Sequence, residues 1–248
     1  MRNKKLIGTG VALITPFNED FTIDFNSLGV LIDYLIENKI NYFVVMGTTA
    51  ESATLSIEEQ NKVLKYIKEK TNNRVPIVLG LGGNDTNSIL NRICSIDFHG
   101  IEAILSVCPY YNKPSQRGLL EHYSKISEVS PVDVILYNVP SRTALNIDVD
   151  TIVALAERCS NIIGKKEASG SISQCMELIL KCPSDFMIIS GDDKMTFPIM
   201  SLGGVGVISV QAMAFPLLFS SMVKLVLEGK IGEAKKCHYN LLKSVDMF

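Results

Sequence analysis

The chain has 248 residues, 47% of them apolar and 20% charged, with a formal net charge of -2. That length holds two small domains or one large α/β barrel, and the apolar share is ample for a core. No basic block stands anywhere, which argues against nucleic acid or an anionic membrane surface as the main partner.

In chain order the apolar runs alternate with helix-like segments. A first strand is expected at 11–14, closed by Thr15-Pro16, with Asp24 as N-cap of a helix to about 38 whose apolar residues share one face. A second strand at 42–46 exits through Gly47-Thr-Thr-Ala-Glu-Ser52, and Ser56 with Glu59 forms a capping box for the next helix. Strand three falls at 75–79, with a helix over 86–97. Strand four falls at 103–107 and leaves through Pro109-Tyr-Tyr-Asn112 before a helix to 129. Strand five, 132–137, exits through Asn138-Val-Pro-Ser-Arg142, and Asp148 or Asp150 caps a helix to about 158. Strand six is 162–166, with a helix near 171–181. Strand seven is 186–190, with a short helix after Asp192. Strand eight is 205–210, with helices at 216–228 and from 231 to about 245.

Eight strand–helix units, at a mean spacing of roughly 28 residues, predict a (β/α)8 TIM barrel rather than a doubly wound sheet. The strands read as near-continuous apolar runs, as a parallel sheet covered on both faces requires. Residues 1–229 are expected to form the barrel, and 230–248 the start of a C-terminal helical domain.

The first residues are charged and lack an apolar stretch of signal-peptide length. The most apolar later stretch, 205–219, is interrupted by Gly206, Gln211 and Pro216, so no membrane span is expected. The six cysteines include no Cys-x-x-Cys pair and read as buried reduced thiols, and the three histidines lack metal-ligand spacing. A cytoplasmic protein without metal or organic cofactor is the expectation.

In such barrels the active site lies in the loops at the C-terminal ends of the strands. There the order of elements gathers Thr48 and Thr49, Tyr110 and Tyr111, Tyr137, Arg142, Lys166, and Gly191-Asp192. A lysine at the end of a buried strand is a candidate Schiff-base nucleophile, because desolvation favours its neutral amine. Lys165 and Lys166 must point to opposite sides of their strand, one inward and one toward the helix layer, where it could reach water. Parity alone leaves open which is which. Tyr137 is by default an amphipathic core residue, or else a proton shuttle beside a lysine. Thr48 and Thr49 are turn hydroxyls or site hydroxyls, and Arg142 is a surface charge or a bidentate carboxylate ligand. Gly80-Leu-Gly82 lacks the third glycine of a dinucleotide fingerprint, since Asp85 stands there.

Six segments in the family's order, Gly47-Thr-Thr-Ala-Glu-Ser52, Pro109-Tyr-Tyr-Asn112, Leu136-Tyr-Asn-Val-Pro-Ser-Arg-Thr143, Gly164-Lys-Lys-Glu-Ala-Ser-Gly170, Ser190-Gly-Asp-Asp193 and Gly206-Val-Ile-Ser-Val210, resemble the dihydrodipicolinate synthase family of class I aldolase-like lyases. The resemblance implies a barrel with a C-terminal helical domain, assembled as a homotetramer of two tight dimers. It implies Lys166 as the Schiff-base lysine and Tyr137 as proton donor and acceptor. Thr48 and Tyr111 would complete the relay, Tyr111 reaching into the neighbouring subunit's site. Thr49 and Ile208 would contact pyruvate, and Arg142 the carboxylate of the aldehyde. The implied reaction joins pyruvate to L-aspartate-4-semialdehyde in lysine and diaminopimelate biosynthesis. The family's lysine-feedback site is partly matched by Ser52, Ala53, Asn84 and Tyr110, whereas Ser88 stands where inhibited members often carry glutamate. Ala50 replaces the usual loop glycine, Lys165 an apolar residue, and the chain stops at Phe248 where further helices are expected. The alternatives are a sibling lyase (N-acetylneuraminate lyase or a 2-keto-3-deoxy-sugar-acid aldolase) and a non-catalytic pyruvate-binding or assembly subunit.

Overall fold

Eight short runs become parallel strands: β1 (Gly8–Ala12), β2 (Tyr42–Val45), β3 (Ile77–Gly80), β4 (Ala103–Val107), β5 (Asp133–Asn138), β6 (Ile162–Glu167), β7 (Met187–Ser190) and β8 (Gly206–Ser209). They pair in chain order, and β8 closes on β1 to complete a barrel. The computed structural model describes residues 3–245, so residues 1, 2 and 246–248 of the expected domains lie outside it. The helices are α1 (Phe25–Glu37), α2 (Ile57–Thr71), α3 (Thr86–Ser95), α4 (Gln116–Val129), α5 (Pro140–Thr143), α6 (Val149–Arg158), α7 (Ile172–Lys181), α8 (Thr196–Ser201), α9 (Pro216–Leu227) and α10 (Ile231–Val245).

Local chemistry explains the boundaries. Asp24 caps α1 by accepting from the Ser27 N–H, and Ser56 with Glu59 closes the predicted capping box on α2. Ser115 and Ser171 cap α4 and α7 in the same way, whereas Asp148, at the N-cap of α6, makes no side-chain cap bond. The first strand begins three residues earlier than the apolar run suggested. Gly8 and Gly10 carry no side chains to read, because the Asn41 amide and the Tyr42 ring occupy the space; a Cβ on Gly10 would meet Tyr42 Cε2 at 2.3 Å. The short α5, with proline at its first turn, was not expected and carries Arg142.

Three apolar clusters form the core. One fills the barrel with residues such as Val44, Val78, Leu105, Ile135, Ile163, Ile189 and Ile208. Two others pack the helices onto the outer face of the sheet, one around β1–β3 with α1, α2 and α9, the other around β4–β6 with α4, α6 and α7. Helix α10 lies against α9 and α8, and its His238 stacks on Phe197 of α8. Of the six cysteines only Cys108 and Cys175 are buried; Cys159, Cys182 and Cys237 are half-buried and Cys94 of α3 is exposed, contrary to the expected burial of all six. Among the described residues no helix is long and apolar enough to cross a membrane.

Candidate active site

The nucleophile's direction is set by an irregularity in β6. Val134 of β5 pairs with Ile162, but the next residue, Ile135, pairs with Gly164, so Ile163 is an extra residue. Ile162 belongs to the outer cluster and Ile163 to the interior one. Strict alternation from there would turn Lys165 inward. The bulge resets the parity: Lys165 pairs with Leu136 and Ile188, both outer residues, and Lys166 with Tyr137 and Ile189, both inner ones. Lys166 thus points into the barrel.

There it is only 7% exposed, with Nζ 4.3 Å from the centre of the Tyr137 ring. Burial pulls its pKa down to about 8; the Asp193 carboxylate opposes that pull and the Arg142 guanidinium adds to it. Gly191, at the exit of β7, makes room for the side chain, since a Cβ there would sit 2.8 Å from Lys166 Cε. Tyr137 is also buried, and desolvation raises its pKa, while a hydrogen bond to Thr48 and the charge of Arg142 work against the rise. Tyr137, Thr48 and Arg142 border one cavity of about 430 Å³ at the C-terminal mouth. Ile208 is buried in the interior cluster below the mouth.

Thr49 stands beside Thr48 in the 3-10 turn Thr48–Ala50 but does not border that cavity. Ala50 is not among the residues with positive φ; the left-handed position falls on Glu51, so the methyl in place of the family's glycine is unstrained. Ser52, Ala53 and Tyr110 border the mouth cavity too, and the Asn84 amide donates to the Tyr110 carbonyl at 3.2 Å. Tyr111 is apart from the rest: it is 87% exposed, with a left-handed φ of 67°, and does not border the cavity. A bulky residue in that region is a conformational outlier.

Lys165 corrects the expectation that the outward lysine reaches water. It is 0% exposed and ion-paired with Glu167, itself buried, whose other oxygen accepts from the Ser169 N–H at 2.6 Å. A further residue passed over by sequence reasoning is Asp193: its Oδ2 accepts from the Val210 and Gln211 N–H groups at 3.2 and 2.9 Å. The doubled acid directly after strand seven was the available signal. A larger cleft, about 550 Å³, lies at the N-terminal ends of β3 and β4, but its Lys68 is tied to Asp97 and none of the reactive groups faces it. No cluster of three or more metal-ligating side chains occurs among the described residues.

Comparison with known proteins matches residues 5–248 to the model of the dihydrodipicolinate synthetase family. A 4-hydroxy-tetrahydrodipicolinate synthase of Flavobacterium psychrophilum is 49% identical over 97% of this chain and 82% of its own length. The crystal structure of dihydrodipicolinate synthase from Aquifex aeolicus superposes with a TM-score of 0.93 at 38% identity, covering 96% of this chain and 81% of that one. The chloride-inhibited enzyme from Acinetobacter baumannii, complexed with pyruvate, gives 0.91 at 38% identity over 94% and 80%. With the full run of the chain matched and the barrel superposed, this protein belongs to the dihydrodipicolinate synthetase family.

Proposed function

We propose that the protein condenses pyruvate with L-aspartate-4-semialdehyde through a Schiff base, forming 4-hydroxy-tetrahydrodipicolinate for lysine and diaminopimelate biosynthesis. Family membership supports the reaction. The observation that carries the mechanism is a lysine buried at the barrel mouth against a tyrosine, with its pKa lowered to about 8.

The neutral Lys166 amine adds to the keto carbon, and one of its protons passes to the carbonyl oxygen by way of Tyr137. The resulting hydroxyl takes a further proton and leaves as water, so a protonated C=N bond remains. That cation acidifies the adjacent methyl group, whose deprotonation gives an enamine. The enamine carbon attacks the aldehyde, the aldehyde oxygen becomes a hydroxyl, and the product's own amine displaces Lys166 as the ring closes. Thr48 and Tyr111 complete the proton relay, Thr49 and Ile208 hold pyruvate, and Arg142 binds the carboxylate of the aldehyde. Arg142 favours this reaction over cleavage of a sugar acid by a sibling lyase, because a short dicarboxylate-forming substrate needs a cation at that point.

The exposure of Tyr111 supports a homo-oligomer in which Tyr111 enters the site of a second copy. We read residues 1–229 as the catalytic barrel, 230–248 as the start of a helical domain, and the cytoplasm as its compartment. The neighbourhood of Ser52, Ala53, Asn84 and Tyr110 is the place for a lysine effector.

Borohydride reduction in the presence of pyruvate tests the mechanism. The expected result is one adduct per chain, on Lys166, absent from Lys166→Ala. Its rate should rise with pH through a midpoint near 8, because the amine rather than the ammonium attacks. At pH 7 roughly one chain in ten then carries the neutral amine. Folded protein that forms no adduct, or an adduct that survives Lys166→Ala, overturns the reading.

A further inference from the structure

The Asp193 carboxylate is held in an asymmetric way. Two successive backbone N–H groups beyond β8, those of Val210 and Gln211, donate to Oδ2, and the Ser209 hydroxyl also hydrogen-bonds the carboxyl group. Ser209 is fixed in turn by the Ala212 N–H at 2.8 Å. Although the residue as a whole is partly exposed, Oδ1 is sealed from solvent and has no hydrogen-bond partner. Burial raises the Asp193 pKa, while the Ser209 hydroxyl and the two backbone N–H groups oppose the rise and favour the carboxylate, so a sealed oxygen without a donor is left for some other positive charge to compensate. The residue lies two positions beyond Gly191, where a Cβ would stand 2.8 Å from Lys166 Cε and 2.9 Å from its Cγ, and its charge acts on the Lys166 amine.

The reaction creates a cation at that amine. Loss of the carbinolamine hydroxyl as water leaves a protonated C=N bond where a neutral amine began. Of the charged and titratable groups facing Lys166, Arg142 is cationic and Tyr137 is kept neutral by burial, so neither can balance that charge. Asp192, the other acid in the β7 exit, acts on Asp193 and only raises its pKa. Resting on the Schiff-base reading above, we propose that Asp193 is the fixed counter-charge of the Lys166 iminium, a positioning residue that stabilises the cationic intermediates without touching substrate. Anchoring it to the exit of β8 means that the charge is in place before the cation forms and need not reorganise, which is where preorganised electrostatics gain most.

The proposal separates two quantities that a merely structural role would move together. Removing the negative charge makes Lys166 easier to deprotonate, so the amine is more available, yet it leaves the iminium uncompensated, so turnover falls. Asp193→Asn keeps the acceptor for the Val210 and Gln211 N–H groups. In this variant the midpoint of pyruvate trapping should move down by roughly one pH unit, while turnover with both substrates falls by roughly 10²-fold. Asp192→Asn should leave the midpoint in place. An Asp193→Asn protein with wild-type midpoint and turnover overturns the proposal, as does a midpoint that moves up. If Asp193→Asn does not fold, Ser209→Ala decides: it keeps the charge but loosens its anchor, so turnover should fall with trapping intact, and unchanged turnover overturns the proposal. A wild-type protein without any trapped adduct would instead refute the Schiff-base reading itself, a result recognisable before any variant is made.

Discussion

Two adjacent lysines on β6 have opposite tasks because of what each side of the sheet offers. Lys166 lies against Tyr137 inside the barrel, where desolvation outweighs the opposing charge of Asp193 and favours the neutral amine. Lys165 has no exposed surface, and desolvation lowers its pKa as well, but the Glu167 carboxylate within ion-pair reach on the same side of the strand opposes that pull. Such a pair adds little net stability, since both ions lost their water, but removing one partner strands the other. Lys165→Ala should therefore lower unfolding free energy by roughly 3–5 kcal/mol, read from the urea midpoint. Lys165→Met combined with Glu167→Gln should recover most of that loss. Neither should abolish the pyruvate adduct on Lys166 in the folded fraction. A cost below about 1 kcal/mol for Lys165→Ala would mean that water reaches the pair after all.

At the scale of the element, the bulge at Ile163–Gly164 decides which lysine enters the barrel, and Gly164 is what permits it. A Cβ on Gly164 would stand 2.5 Å from the Met187 carbonyl oxygen of β7 and 2.8 Å from the Met187 Cβ, both part of a neighbouring strand that cannot step aside. Gly164→Ala should therefore destabilise the protein by roughly 1–3 kcal/mol, as overpacking does. It should also cut the yield of trapped pyruvate per folded chain, measured by intact mass, because relief of the clash re-aims Lys166. Full yield with unchanged turnover would show that β6 tolerates the methyl and that the bulge is not the aiming device. This is also where sequence reasoning reached its limit. Helix starts such as Asp24 and Ser56 were readable because a cap is local chemistry within four residues. The eight-fold repeat was readable because spacing and apolar runs survive small boundary errors. The bulge was not, because a register shift depends on the partner strands, and Ile-Ile-Gly-Lys-Lys is compatible with either lysine pointing inward. Asp193 escaped for the same reason: its donors come from the exit of the neighbouring strand, 17 and 18 residues away.

At the scale of the molecule, the relay proposed above is not assembled within one chain. Tyr137, Thr48 and Arg142 border the mouth cavity and Lys166 lies against Tyr137, whereas Tyr111 stands exposed in a left-handed conformation that costs of order 1–3 kcal/mol and does not border that cavity. Met46, Glu51 and Ala144 are left-handed as well, and like Tyr111 they stand where β2, β4 and β5 empty into the mouth, so the loops of this face carry strain that the rest of the barrel must hold. If Tyr111 serves the site of a second copy, the defect of one subunit can be supplied by another. Tyr111→Phe and Lys166→Ala should each be nearly inactive alone, the first still forming the pyruvate adduct. Mixed in equal amounts and allowed to exchange subunits, half of the dimers pair one of each, and one of the two sites in such a dimer holds both an intact lysine and an intact partner tyrosine. About a quarter of all sites should then turn over, as two-fold symmetry requires. Activity of the mixture that stays at the sum of the two variants, under conditions where exchange is demonstrated by mass, would place Tyr111 outside the partner's chemistry and leave the relay to Tyr137 and Thr48 of a single chain.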